Sequence, residues 1–232
     1  MPAPVVATVG AESKGTGTAA TLGSPAGLAA GDLLLAFFSS DTSTNTFTPP
    51  GEGWTLIARG GPVGEGGSGA GTAEVWRKIA VGGDSLAFTQ SAAGPWAGIA
   101  CRVTGHDPAG PVPVSKKSAS STPVTSLKSG TITTPRDDCL VITFFTEDGD
   151  TSAVNWASEG ATEIFDFQEG VSFVEIAGYT EIKEKAGEIS RTGSLPFGAN
   201  ECESIIFAVQ PPAGGAPSGP RPGSRSLLGV GR

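Results

Sequence analysis

Residues 31–41 read Gly-Asp-Leu-Leu-Leu-Ala-Phe-Phe-Ser-Ser-Asp, and residues 138–148 read Asp-Cys-Leu-Val-Ile-Thr-Phe-Phe-Thr-Glu-Asp. The apolar run Leu33–Ser39 fits a strand covered on both faces, since no position in it is reserved for water. The two stretches lie 107 positions apart. At the same offset Gly53-Trp54-Thr55-Leu56-Ile57 meets Gly160-Ala161-Thr162-Glu163-Ile164, and at 106 Ile99-Ala100-Cys101-Arg102-Val103 meets Ile205-Ile206-Phe207-Ala208-Val209. Three segments in one order at nearly one spacing point to two related halves.

Further strands are expected at short intervals around these anchors. Pro4–Val9, Trp54–Arg59, Ala73–Val81, Leu86–Thr89 and Ala97–Thr104 complete the first half. Leu140–Thr146, Thr162–Phe167, Val171–Ile182, Glu188–Thr192 and Ser204–Gln210 make the second, with weaker candidates at Val112–Lys117 and Gly130–Thr133. No segment holds a helical apolar period, and only short helical turns are expected near Pro25–Ala30 and Ser91–Trp96. A sheet with one apolar face needs a covering layer, and a second half of similar strands supplies it. The expected fold is all-β, a jelly-roll-like sandwich of two antiparallel sheets. The halves would be about 1–105 and 130–210, joined by a Ser/Thr/Pro-rich link at 106–129, with two tandem small domains as the alternative. One domain is preferred because the N-terminal strand and the link lack counterparts in the other half.

Composition sets the remaining bounds. The chain has 232 residues, with 35 Gly and 18 Pro set between apolar runs, as many short strands and turns require. Residues 1–210 hold 12 Lys/Arg against 23 Asp/Glu, a charge of −11, while residues 211–232 hold three Arg and no acid, which gives the overall −8. An acidic body argues against nucleic acid as a partner, because phosphate binding needs a basic surface. Cys101, Cys139 and Cys202 lie in or beside apolar runs and read as buried thiols. With one His and no CxxC pair they offer no zinc site. No apolar run has the length of a membrane helix. Met1-Pro-Ala-Pro lacks the basic start and long apolar core of a secretion signal, so synthesis in the cytoplasm is expected.

Candidate chemistry is sparse. Gly64-Glu65-Gly66-Gly67-Ser68-Gly69 matches GxGxxG, but a strand rather than a helix follows it, so it reads as a hairpin loop. Glu147-Asp148-Gly149-Asp150 gathers carboxylates at a strand end without the spacing of a calcium loop, and reads as a solvated loop. His106, the one histidine, stands in the turn-like Gly105-His106-Asp107-Pro108 with no GxSxG elbow elsewhere. No catalytic, cofactor or metal-binding residue is assigned. Trp54, Trp76, Trp96 and Trp156 are candidate sugar platforms or core fillers. Trp76 is the glycan candidate, because strand alternation sets it on one face with Glu74 and Lys78 and so suggests exposure. The tail, residues 211–232, opens as a Gly/Pro linker. It ends in the cluster Leu227, Leu228 and Val230 between arginines, so Arg221, Arg225, Leu227, Leu228 and Val230 are the candidate anchor to a partner.

The succession Gly31-Asp32-Leu33-Leu34-Leu35-Ala36-Phe37, Pro49-Pro50-Gly51-Glu52-Gly53-Trp54-Thr55-Leu56-Ile57, Val75-Trp76-Arg77-Lys78-Ile79-Ala80, Leu86-Ala87-Phe88-Thr89 and Arg102-Val103-Thr104-Gly105-His106-Asp107-Pro108 resembles a β-sandwich domain of tailed-bacteriophage structural proteins. Minor tail, fibre and decoration proteins carry it, as do some bacterial surface proteins. The resemblance covers about residues 3–210 and departs at His106, where the pattern more often has an aliphatic residue. It implies a virion component assembled in the host cytoplasm, without enzymatic activity or cofactor, and most of all a minor tail protein held by its C-terminal tail. Its partners would be other virion proteins and further copies of itself. The alternatives are a capsid decoration or head-fibre protein, and a carbohydrate-binding module attaching to a host-surface glycan.

Overall fold

Leu33–Ser40 is a strand whose eight residues are all buried, with another strand hydrogen-bonded along each of its edges. The computed structural model describes residues 2–42, 44–60, 71–120, 124–148, 156–170, 174–199 and 201–214. The Gly64–Gly69 loop, Gly149 and Asp150 of the acidic run, and the anchor residues Arg221, Arg225, Leu227, Leu228 and Val230 lie outside them.

In chain order the first half contains β1 (Val5–Val9), β2 (Ser13–Gly15), β3 (Ala19–Thr21), β4 (Leu33–Ser40), β5 (Phe47–Thr48), β6 (Thr55–Arg59), β7 (Thr72–Ile79), β8 (Ala87–Gln90) and β9 (Trp96–Thr104). The second contains β10 (Val114–Ser120), β11 (Val124–Lys128), β12 (Ile132–Thr134), β13 (Cys139–Asp148), β14 (Ala157–Ser158), β15 (Thr162–Gln168), β16 (Val174–Lys183), β17 (Gly187–Ile189), β18 (Thr192–Ala199) and β19 (Glu201–Val209). There is no helix among the described residues, so none is long and apolar enough to cross a membrane, and the turns expected at Pro25–Ala30 and Ser91–Trp96 stay non-helical.

Two large antiparallel sheets result, and they share one strand plan. The order β1-β9-β4-β7-β6 in the first half returns as β10-β19-β13-β16-β15 in the second, with β2 added along β9. β10 takes on β19 the place that β1 takes on β9. The segment read from sequence as a link without a counterpart thus supplies the opening strands of the second half. The strand candidates Val112–Lys117 and Gly130–Thr133 fall on β10 and β12, but composition hid the match of β10 to β1, because an edge strand needs one ladder and little apolar surface, and its Lys116 and Lys117 are exposed.

The Phe-Phe pair of each repeat explains the layering. Successive side chains of a strand point to opposite faces. Phe37 and Phe144 therefore face inward and meet with ring centroids 5.3 Å apart, and Phe37 also lies 5.3 Å from Phe165 and 6.2 Å from Phe207. Around them Leu33, Leu35 and Val75 of one sheet pack on Leu140, Ile142 and Ile205 of the other. This is the expected sandwich. Phe38 and Phe145 face outward, and each is covered again. Phe38 stacks on Phe47 at 4.3 Å beneath the small sheet β3-β8-β5, and Phe145 stacks on Trp156 at 4.9 Å beside β11-β18-β14. A further pair, β12-β17, covers Cys139, Val141 and Ile206. These outer layers were not foreseen from the sequence. All three cysteines are free and buried.

Polar groups also tie the halves together. Glu203 on β19 reaches across the sandwich, where its Oε2 accepts the backbone N–H of Ala73 at 2.8 Å. Ser115 donates to the carbonyl of Ile57 at 3.2 Å, joining β10 to β6. Close packing leaves no side-chain space at Gly178, which sits opposite Phe165 in register, where an added Cβ would lie 2.5 Å from the ring. Gly178→Ala is expected to cost roughly 1–3 kcal/mol, as overpacking of a filled core does, read by urea denaturation against the parent. A neutral result would mean that Phe165 is free to leave the core.

Candidate functional site

A row of acidic side chains, with Glu147 and Glu175 buried, Asp166 half-buried and Glu163 exposed, lies on the outer face of the second large sheet. Glu147 on β13 pairs in register with Glu175 on β16, and Glu175 with Gln168 on β15. Asp166 stands opposite Ala177, and Glu163 opposite Tyr179, on the same strand pair. Glu147 is 2% exposed and Glu175 1%. Asp166 shares a side-chain hydrogen bond with Glu175 and accepts the backbone N–H of Trp156. Two carboxyl groups bond to each other only when one keeps its proton, since a carboxylate is acceptor-only. Burial pushes Asp166 up to about 6 despite that bond, and pushes Glu147 up to about 7 with no opposing influence. Glu147 Oε2 is buried without a hydrogen-bond partner. The Tyr179 hydroxyl donates to the Trp156 carbonyl, and burial with the neighbouring carboxylates moves that phenol upward.

The first half has hydroxyls at the places that match Glu147 and Glu175, and Arg59, ion-paired with Glu74, at the place that matches Asp166. Ser40, the counterpart of Glu147, accepts from Asn45 at 3.1 Å and from Gln90 at 3.0 Å, and donates to the carbonyl of Pro95. Thr72, the counterpart of Glu175, donates to the carbonyl of Thr42 at 2.9 Å. The repeat has thus diverged from hydroxyls and amides to carboxyls at one end of one half. Sequence reading flagged Glu147 only as part of a solvated run. In the structure it points under the outer layer, and its partners come from other strands. Glu175, a lone acid inside the apolar Val174–Ala177, was the available signal.

Trp76 does share a face with Glu74 and Lys78, but the expected exposure is corrected. That face is covered by β3-β8-β5, so Trp76 is half-buried with its ring 6.3 Å from Phe88. Its indole N–H donates to Glu74 at 2.7 Å. Glu74 is fully buried, bonds to Arg59 at 2.7 Å and accepts the N–H of Phe47 at 3.3 Å. Trp54 is likewise half-buried, and Trp96 and Trp156 are buried. None of the four forms an open aromatic platform. His106 is buried with Nε2 3.0 Å from the carbonyl of Gly31, while Asp107 is held by Arg136 at 2.9 Å and by the N–H of Ala109 at 3.0 Å. The structure thus does not bring these two side chains together as an acid–base pair. Among the described residues no three His, Cys, Asp or Glu converge on a metal position.

An open polar concavity of about 730 Å³ lies between β16 and β17, lined by Lys128, Glu181, Lys183, Glu188 and Arg191 among others. Glu181 and Arg191 form an ion pair across it. It has no aromatic wall and was not read from sequence.

The fold and these sites define a duplicated all-β sandwich with ion pairs within its sheets and between its strands and loops. The chain matches no known family model, no curated protein and no solved structure.

Proposed function

We propose that this protein is a non-enzymatic structural component of a tailed-phage particle, most specifically a minor tail protein whose sandwich projects from the particle and whose residues 211–232 anchor it. The observation that carries this reading is the doubled sheet, in which several buried carboxylates serve the scaffold. Glu74 holds Arg59 and Trp76, Asp107 holds Arg136, and Glu203 bridges the two sheets. The root of the tail supports the anchor role. Arg136 grips the carbonyl of Pro211 at 2.8 Å, and Gln210 is bonded to Pro111 and Asp107, so the exit point of the tail is fixed to the body. A fixed exit aims the segment that follows and lowers the entropy lost when it docks.

Removal of residues 215–232 spares that clasp. The shortened protein is expected to keep its melting temperature and to be absent from purified particles by immunoblot. Normal incorporation would end the anchor role. Immunogold labelling of intact particles with antibody to the folded body is expected to mark the tail. Label on the head would replace the minor tail assignment with decoration or head fibre. Label confined to cells or medium would remove the virion reading in favour of a surface-binding module.

A further inference from the structure

We propose that the acid row on the outer face of β13, β16 and β15 is a pH-operated latch, which in its protonated form holds Trp156 and the small sheet β11-β18-β14 on the second large sheet and on ionisation releases them. The proposal is independent of the virion reading.

The closed form needs protons. Asp166 and Glu175 stand diagonally on one face, and Glu175 is paired in register with Glu147, so like charges meet there once all three ionise. Glu147 Oε2 lies buried without a partner, a position that a neutral carboxyl tolerates far better than a charged one. From β16 the row faces Glu175 and Tyr179, from β15 Glu163 and Asp166, and from β19 Cys202. The covering strands contribute Leu127, Ser158 and Leu195. No cation is among the groups that act on Glu147 or Asp166. All 12 Lys and Arg of residues 1–210 are among the described residues, so no hidden basic group of the body compensates. Rising pH therefore gathers like charges beside the buried Glu147 and Glu175.

The moving part is tied to the same groups. Trp156 takes the Tyr179 hydroxyl on its carbonyl, sets its backbone N–H beside the Asp166 carboxyl, and lays its ring on Phe145, two residues before Glu147 on the same face. β14, directly after Trp156, pairs only with β18, through Ala157–Ser194 and Ser158–Gly193. Repulsion that loosens Trp156 is thus passed to the outer sheet. At the places that match Glu147 and Glu175 the first half has Ser40 and Thr72, which do not titrate, and at the place that matches Asp166 it has Arg59, paired with the buried Glu74, so this face carries its own counter-charge and serves as the contrast.

Backbone hydrogen exchange of the full chain tests this, with rates expressed as protection factors so that hydroxide catalysis is divided out. Protection at residues 156–158 and 192–195 is expected to fall about tenfold or more between pH 5.5 and 8, one ionisation's worth, while β4 and β9 keep theirs. The double variant E147Q/D166N imitates the protonated row, and the carboxamide oxygen that D166N introduces can still accept the Trp156 N–H. It is expected to hold its protection at pH 8. Flat protection in the parent overturns the latch, as does an equal fall in the double variant or an equal fall in β4 and β9. Should the double variant not fold, the contrast between β14/β18 and β4/β9 in the parent decides alone.

Discussion

Phe37→Ala is expected to cost about 3–5 kcal/mol, the range for emptying a buried aromatic site. The ring touches Phe144, Phe165 and Phe207 of the opposite sheet, all within 6.2 Å between centroids, and it is fully buried. Its removal leaves a void at the middle of the sandwich, where both sheets are held by strands on either side and cannot close in. Domains have only about 5–15 kcal/mol of stability in total, so the variant should be marginal at 37 °C. Guanidinium denaturation at constant pH measures the loss. A cost under about 1 kcal/mol would mean that the two large sheets do not pack face to face as described.

Glu147→Gln is expected to stabilise the protein at pH 8 and to leave it nearly unchanged at pH 4. The ordinary value for a glutamate is 4.5, and burial raises Glu147 in the folded protein to about 7. Between those values the unfolded chain has released the proton that the folded chain still holds. The unfolded state then binds fewer protons, and stability falls as pH rises through the window. The full penalty is in place above pH 7 and amounts to about 3 kcal/mol at roughly 1.4 kcal/mol per unit. Gln cannot ionise, so the variant escapes it. Urea midpoints at several pH values give the test, and a difference between variant and parent that is constant with pH would show that Glu147 does not titrate in the folded state. Asp166, raised to about 6 from 3.8, adds a contribution of the same sign over a window that begins lower and overlaps that of Glu147.

The central sheets were legible in the sequence because their cause is local. An eight-residue strand buried on both faces shows as an apolar run, and its duplication shows as an offset. Leu33–Ser39, Leu86–Thr89 and Ala97–Thr104 fall within about a residue of β4, β8 and β9. Two things escaped. The strand candidate Val112–Lys117 falls on β10, but its pairing with β19 as the counterpart of β1 did not show, since Ser-Lys-Lys-Ser-Ala-Ser carries no alternation to announce a partner. The outer layers decide exposure at long range. Alternation put Trp76 on the right face, but only the tertiary fold brings Phe88 over it. The acid row escaped for the same reason. Glu147, Asp166 and Glu175 come together through the register of β13, β16 and β15, and no spacing along the chain encodes that register.

The pairing of two like sheets through Phe37 and Phe144 also bears on how the chain holds together as one molecule. A half alone would offer water a face of Leu33, Leu35, Phe37 and Val75, the kind of surface that a homodimer hides by meeting its twin. Here the twin is on the same chain, so its local concentration is set by the connection between β9 and β10 and does not fall on dilution. The protein is in effect a dimer that cannot dissociate. Because the two copies are covalently joined they are also free to differ, and the exchange of Ser40 and Thr72 for Glu147 and Glu175 is a change that a symmetric pair would have had to make twice.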